Sequence, residues 1–191
     1  MSWTEWAGVI TGALCVLLVV RQHVANFPIG VANNAFYLVL FVQAGLYADA
    51  GLQVVFAVLG VQGWWLWLHG GPQRTRLEIR PLQLSDAILC AAGVALATGV
   101  LMWVLSSYTD STVPFWDALT TALSLGAQWL LNRKHTANWW VWIVADVIYV
   151  VLYLSKGLQL TAGLYSGFLV LCVLGLRQWR KASTELELAA A

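Results

Sequence analysis

Long apolar runs separated by short polar pieces organise the whole chain. Seven such stretches can be read: Trp3–Val20, Phe27–Val42, Gly51–Leu68, Leu84–Leu105, Trp116–Leu131, Trp139–Leu154 and Leu160–Leu176. Runs of this length predict membrane-spanning helices, because a helix satisfies its own backbone groups where no water is present. The shortest runs hold about 16 residues, which cover about 25 Å of a hydrocarbon core about 30 Å thick. Some bilayer thinning and Trp anchoring at the ends are therefore expected. The polar pieces are too short for a second domain, so residues 1–191 are expected to form one all-α membrane domain.

Composition and charge sharpen this picture. Charged residues make up 10% of the chain, against roughly 25% in soluble domains, and the mean hydropathy is +0.74. A net charge of +1 gives no case for a nucleic-acid partner. With seven spans the connections alternate sides. Arg21, Arg74, Arg76, Arg80, Arg133, Lys134, Arg177, Arg180 and Lys181 then share one side, and only Lys156 lies opposite. Such a bias marks the cytoplasmic side, placing the N-terminus outside and the C-terminus inside. Arg21 follows the first apolar run instead of preceding it, so that run is expected to remain as a span and not to act as a signal peptide. Cys15, Cys90 and Cys172 lie in apolar runs without pairing motifs and read as small buried hydrophobes.

The chain also matches itself at an offset of 112 residues. Arg21-Gln22-His23-Val24-Ala25-Asn26 falls on Arg133-Lys134-His135-Thr136-Ala137-Asn138, Tyr37 on Tyr149, Gly45 on Gly157, Gly63 on Gly175 and Trp67 on Trp179. Over Leu18–Trp67 there are 19 identities in 50 positions, and the aligned Arg, His, Asn, Tyr, Gly and Trp exceed what apolar composition produces. The expected organisation is a first repeat at 3–68, a linking helix at 84–105, a second repeat at 116–179 and a tail at 180–191. An odd linking helix lets both copies cross in the same direction, a 3+1+3 parallel repeat. Repeats of this kind point to a transporter with its site near the midplane at the repeat interface; the alternative is a duplicated scaffold without transport.

Candidate chemistry lies on the polar positions within the spans. At 100° per residue, Trp139, Trp142, Asp146, Tyr149 and Tyr153 fall within an arc of about 80°. Phe27, Gly30, Asn34, Tyr37 and Phe41 form the matched stripe. Asp146 is the one acidic residue well inside a span, and a carboxylate there costs roughly 2.5–3.5 kcal/mol on insertion scales, so it is a site candidate by default. The competing reading is a protonated Asp bonded to a neighbouring helix. Thr120, Ser124, Gln128 and Asn132 recur every four residues on one run, and Gln53, Gly60 and Trp64 align on another. These groups suit a polar solute or inter-helix hydrogen bonds. Trp3, Trp6, Trp65, Trp67, Trp116, Trp140 and Trp179 read as interfacial anchors. Gly8-x-x-x-Gly12 and Gly163-x-x-x-Gly167 read as close-packing sites. The histidines show no metal spacing, and no nucleotide-binding or hydrolase motif is present, so neither catalysis nor a cofactor is expected.

Two segments carry a resemblance: Leu46-Tyr47-Ala48-Asp49-Ala50-Gly51-Leu52-Gln53 leading to Gly63-Trp64-Trp65-Leu66-Trp67, and Asn138-Trp139-Trp140-Val141-Trp142-Ile143-Val144-Ala145-Asp146. With the W-x-x-W-x-x-x-N/D pattern filled by Trp139, Trp142 and Asp146, the chain resembles the Pnu family of bacterial vitamin transporters, especially its nicotinamide riboside members. The resemblance implies a SWEET-like fold of seven transmembrane helices in the bacterial inner membrane, a homotrimer, and facilitated diffusion of an unphosphorylated vitamin precursor that a cytoplasmic kinase then traps. An aromatic stripe suits the fixed pyridinium charge of nicotinamide riboside, and Asp146 adds attraction or accepts from ribose hydroxyls. Asn34, Gln53 and Gln128 are then candidates for the carboxamide and sugar. With Trp64, Tyr37 and Ser124 they complete the expected substrate-binding set. Thiamine, and less well riboflavin or a sugar, fits the same argument; a structural membrane subunit is the non-transport alternative.

Overall fold

A computed structural model describes residues 3–43, 45, 47–109, 112–155 and 157–190, with the side chains of residues 3–7, 9, 48, 187, 189 and 190 left aside. Lys156 and Leu46, and the side chains of Trp3 and Trp6, thus lie outside what is described. The helices are α1 (Trp3–Val20), α2 (Asn26–Gln43), α3 (Tyr47–His69), α4 (Leu84–Tyr108), α5 (Pro114–Asn132), α6 (Asn138–Ser155) and α7 (Gln159–Ala190), with a short 3-10 turn at Pro72–Arg74. Each expected stretch therefore forms a helix. The exception in extent is α7, which continues well past Leu176 and takes in most of the expected tail. Arg177, Arg180, Lys181 and Glu185 ride on this continuation, where helix-favouring polar residues replace apolar ones.

Among the described residues, Asp49–His69, Leu84–Tyr108, Asn138–Ser155 and Gln159–Leu186 are long and apolar enough to cross a membrane, and Ile10–Val20 is a shorter apolar helix. α2 and α5 are diluted by the polar residues that make them interesting: Asn33 and Asn34 in one, Thr120, Ser124, Gln128 and Asn132 in the other. Proline at the first position of α5 costs no backbone hydrogen bond, since that N–H has no intrahelical acceptor.

The chain divides into two compact units, Met1–Glu78 with Asn132–Lys134, and Ile79–Leu131 with His135–Ala191. In the first, α1 packs on α2 and α2 on α3; in the second, α6 packs on α7. α4 has no buried residue, and Ile88, Leu89, Leu96, Val100 and Trp103 are exposed along it.

Positions that match at the offset of 112 residues share individual backbone bonds and conformations. Gln22 and Lys134 both take φ 54°, and Gly45 and Gly157 take φ 75° and 73°. His23 N donates to Leu18 O at 2.8 Å and His135 N to Leu130 O at 3.0 Å, closing the same left-handed helix end. Asn26 Nδ2 donates to His23 O at 2.9 Å, and Asn138 Nδ2 to His135 O at 2.7 Å, restarting the chain as a helix in both places. The left-handed conformation costs a non-glycine residue roughly 1–2 kcal/mol, which these bonds offset at Gln22 and Lys134.

Candidate functional site

The second unit gathers the polar groups of α5, α6 and α7. Asp146 is buried, with 4% of its surface exposed. The Cys172 thiol on α7 donates to Asp146 Oδ2 at 3.4 Å. One turn on, the Tyr149 hydroxyl is hydrogen-bonded to the hydroxyls of Thr120 and Ser124, which themselves donate back to Trp116 O and Thr120 O at 2.9 Å. Tyr149 stacks on Tyr153 with centroids 5.9 Å apart, and Tyr165 lies 4.7 Å from Tyr149 and 5.1 Å from Tyr153. A buried carboxylate thus lies one helical turn from a cluster of three tyrosine rings, groups able to hold a flat cation by aromatic faces and charge together.

Trp142 and Gln128 are half-buried in this unit. Trp142 makes no hydrogen bond or ring contact among the described residues. Trp139 has a different setting, being 1% exposed and edge-on to Trp179 at 5.6 Å and 89°. The space for its ring exists because residue 175 is glycine. Its indole Nε1 and the Asn138 Oδ1 are buried without a protein partner among the described residues.

The first unit holds the matched stripe. Tyr37 stacks on Phe41 at 5.7 Å and its phenol covers Gly8, while Asn33 Nδ2 donates to Thr11 Oγ1. Asn34 and Gln53 are half-buried and make no hydrogen bond among the described residues, and Trp64 is partly exposed. Phe27 meets Trp67 edge-on at 5.0 Å and 87°, repeating the Trp139–Trp179 pair.

Two sequence expectations are corrected here. Trp67 and Trp179 are not interfacial anchors: they are 3% and 0% exposed, because the ring 40 positions earlier in each copy packs edge-on against them and a glycine opposite makes the room. Trp65, Trp116 and Trp140 are exposed as an anchor must be. Nor does Gly163-x-x-x-Gly167 mark a close approach, since a Cβ at either glycine meets nothing among the described residues.

Sequence reasoning missed Cys172, read as an inert hydrophobe, and the pair made by His135 and Asp86. His135 is wholly buried at the α5–α6 connector, with Nε2 3.0 Å from Asp86 Oδ2 and Nδ1 3.1 Å from Pro81 O. Burial holds this imidazole below its ordinary pKa, with Arg80 acting in the same direction and Asp86 against it. At the preceding position, Lys134 places its ammonium 4.5 Å from the Trp67 ring. Burial, reinforced by Arg76 and opposed by Glu78, lowers it to about 8.

Comparisons with known proteins give a consistent result. The family model described as nicotinamide mononucleotide transporter matches residues 2–181. The nicotinamide riboside transporter PnuC of Escherichia coli is 29% identical over 210 residues, covering 97% of this chain and 88% of that protein. The riboflavin/roseoflavin transporter RibM of Streptomyces davaonensis is 23% identical over 182 residues, covering 93% and 84%. A crystal structure of the vitamin B3 transporter PnuC superposes with a TM-score of 0.72 at 23% identity, covering 96% of this chain and 83% of that one.

Proposed function

Because the chain belongs to the nicotinamide mononucleotide transporter family, a family of multi-pass membrane transporters and not of enzymes, we propose that it carries nicotinamide riboside into the bacterial cell. The observation that carries this reading is the buried Asp146 carboxylate beside Tyr149, with Trp142 half-buried on the same stripe. A pyridinium riboside brings a fixed positive charge, a flat ring and a sugar. The carboxylate answers the charge, the aromatic faces the ring, and Ser124 and Gln128 the sugar. In the first unit Asn34 and Gln53, with Tyr37 and Trp64, are solute contacts in their own right. Trp139 joins the set through its indole N–H, which has no protein partner among the described residues.

The riboside is favoured over the mononucleotide by charge. A phosphate needs cationic partners, and every Lys and Arg lies outside the seven apolar stretches. The sequence carries no ATP-binding motif and only one carboxylate well inside a span, Asp146, which supports facilitated diffusion with a cytoplasmic kinase trapping the product. Seven spans in a SWEET-like 3+1+3 order, with the N-terminus outside, accord with the basic-residue bias. The apolar, unburied α4 suits contact with lipid or with other subunits of a homotrimer.

Calorimetric titration of purified protein with nicotinamide riboside, thiamine and riboflavin tests the proposal. Nicotinamide riboside is expected to bind, and Asp146→Asn to weaken it by about tenfold or more, since a charged pair is worth roughly 1.5–3 kcal/mol. Riboflavin, the second reading, is favoured by the resemblance to RibM; its neutral ring predicts no dependence on the Asp146 charge. Binding of nicotinamide riboside unchanged by Asp146→Asn, or uptake into kinase-free vesicles that collapses with a protonophore, refutes the scheme.

A further inference from the structure

Asp146 accepts one hydrogen bond among the described residues, and the donor is a thiol on the neighbouring helix. A carboxylate has two oxygens and about four acceptor positions. The torsion that sets its plane is broad and roughly two-fold, so a buried Asp without a partner has a poorly defined orientation. The thiol removes that freedom. It engages Oδ2 from α7, in a contact between two residues that are each 4% exposed, and leaves Oδ1 with no donor among the described residues. The matched pair in the first unit is Asn34 and Gly60, an amide facing a residue without a side chain. The arrangement is therefore a property of the second copy and is not imposed by the helix packing that both copies share.

We infer that Cys172 is a positioning residue for solute binding: its S–H fixes the Asp146 carboxylate by one oxygen so that the other is presented to the cationic solute. The inference rests on the proposed role of Asp146. A thiol suits this task because it is a weak donor. It orients the carboxylate while withdrawing little of the charge that the solute must feel, whereas an ammonium in the same place would neutralise it.

The test uses the full-length protein with nicotinamide riboside as the probe, measuring calorimetric affinity and the concentration dependence of uptake in vesicles. Cys172→Ala removes the donor at a small cost in volume. It is expected to raise the dissociation constant and the half-saturating concentration about fivefold, with maximal uptake unchanged. Cys172→Ser returns a donor at nearly the same place and is expected to restore both to within about twofold. Asp146→Asn is measured beside them. If Asp146→Asn weakens binding and Cys172→Ala does not, the positioning role is overturned while the site stands. If Ser is as impaired as Ala, the thiol acts through packing and the inference is likewise overturned. If Asp146→Asn itself binds as the wild type does, the proposed site fails.

Discussion

Replacing Gly175 by alanine puts the repeated packing of the two units to a quantitative test. The added Cβ would stand 2.4 Å from Cη2 and Cζ2 of Trp139 and 2.6 Å from its Cε2. Ordinary carbon contacts begin near 3.5 Å, so about 1 Å of movement is needed. The Trp139 ring has little freedom to supply it, being 1% exposed and held edge-on by the fully buried Trp179. Overpacking of this kind costs about 1–3 kcal/mol, and the better helix propensity of alanine returns about 0.8–1 kcal/mol. The net loss is up to about 2 kcal/mol against the wild type, and about 1–3 kcal/mol against other Gly→Ala variants that keep the propensity gain, which at roughly 2–4 °C per kcal/mol for a chain of this size separates them in Tm by several degrees. Thermal unfolding in detergent, followed by near-UV signals, measures it. Gly163→Ala and Gly167→Ala are the controls, since a Cβ at either meets nothing among the described residues; both are expected to match or exceed the wild type. A Gly175→Ala protein that melts with those controls would refute the packing argument.

Further outcomes follow from the α5–α6 connector. His135→Ala is expected to destabilise by about 2–4 kcal/mol because it removes a wholly buried ring together with its hydrogen bonds to Asp86 and to the Pro81 carbonyl. His23→Ala, at the matched but exposed position, should stay within about 0.5 kcal/mol in the same unfolding assay. Lys134 gives a pH dependence. Its folded pKa of about 8 lies below the ordinary 10.5, so between those values the unfolded chain holds a proton that the native chain has released. This group therefore makes stability rise with pH across that window. From pH 7 to 9.5 the wild type should gain about 2 kcal/mol relative to Lys134→Gln, read as the difference between paired chemical unfolding curves; parallel curves would count against a buried amine.

Much of the fold is legible in the chain because lipid imposes a simple code. An apolar run must be a helix, and short polar pieces must be its ends, so α1 to α6 and the start of α7 can be placed within a few residues of their bounds. The connectors are legible because Gly45 and Gly157 sit where a left-handed residue closes a helix, and because His-x-x-Asn recurs with its offset intact. What a run of apolar letters does not carry is the direction of each ring. Trp67 and Trp179 stand at or just beyond the ends of apolar runs, where Trp gathers at headgroups, and only the pairing with Phe27 and Trp139 across Gly63 and Gly175 shows them to be core. The continuation of α7 past Leu176 was hidden for the opposite reason, since a helix with no apolar face to bury leaves no periodic signal. In the candidate site, Asp146 announces itself by its cost. Cys172 does not, because a thiol in an apolar run looks like any small hydrophobe until a carboxylate is found 3.4 Å away.

The three residues Asn132–Lys134 group with the first unit although they follow α4 and most of α5 in sequence. Asn132 Nδ2 donates to Leu59 O at 2.7 Å, and the Lys134 ammonium faces Trp67. The matched positions in the other copy hold Val20 and Gln22, with no amide at the first and no charge at the second. A half-length chain, even paired with its own twin, could not reproduce either contact. A chain ending at Glu78 would therefore lack two side chains that help to close the first unit, the Asn132 amide and the Lys134 ammonium.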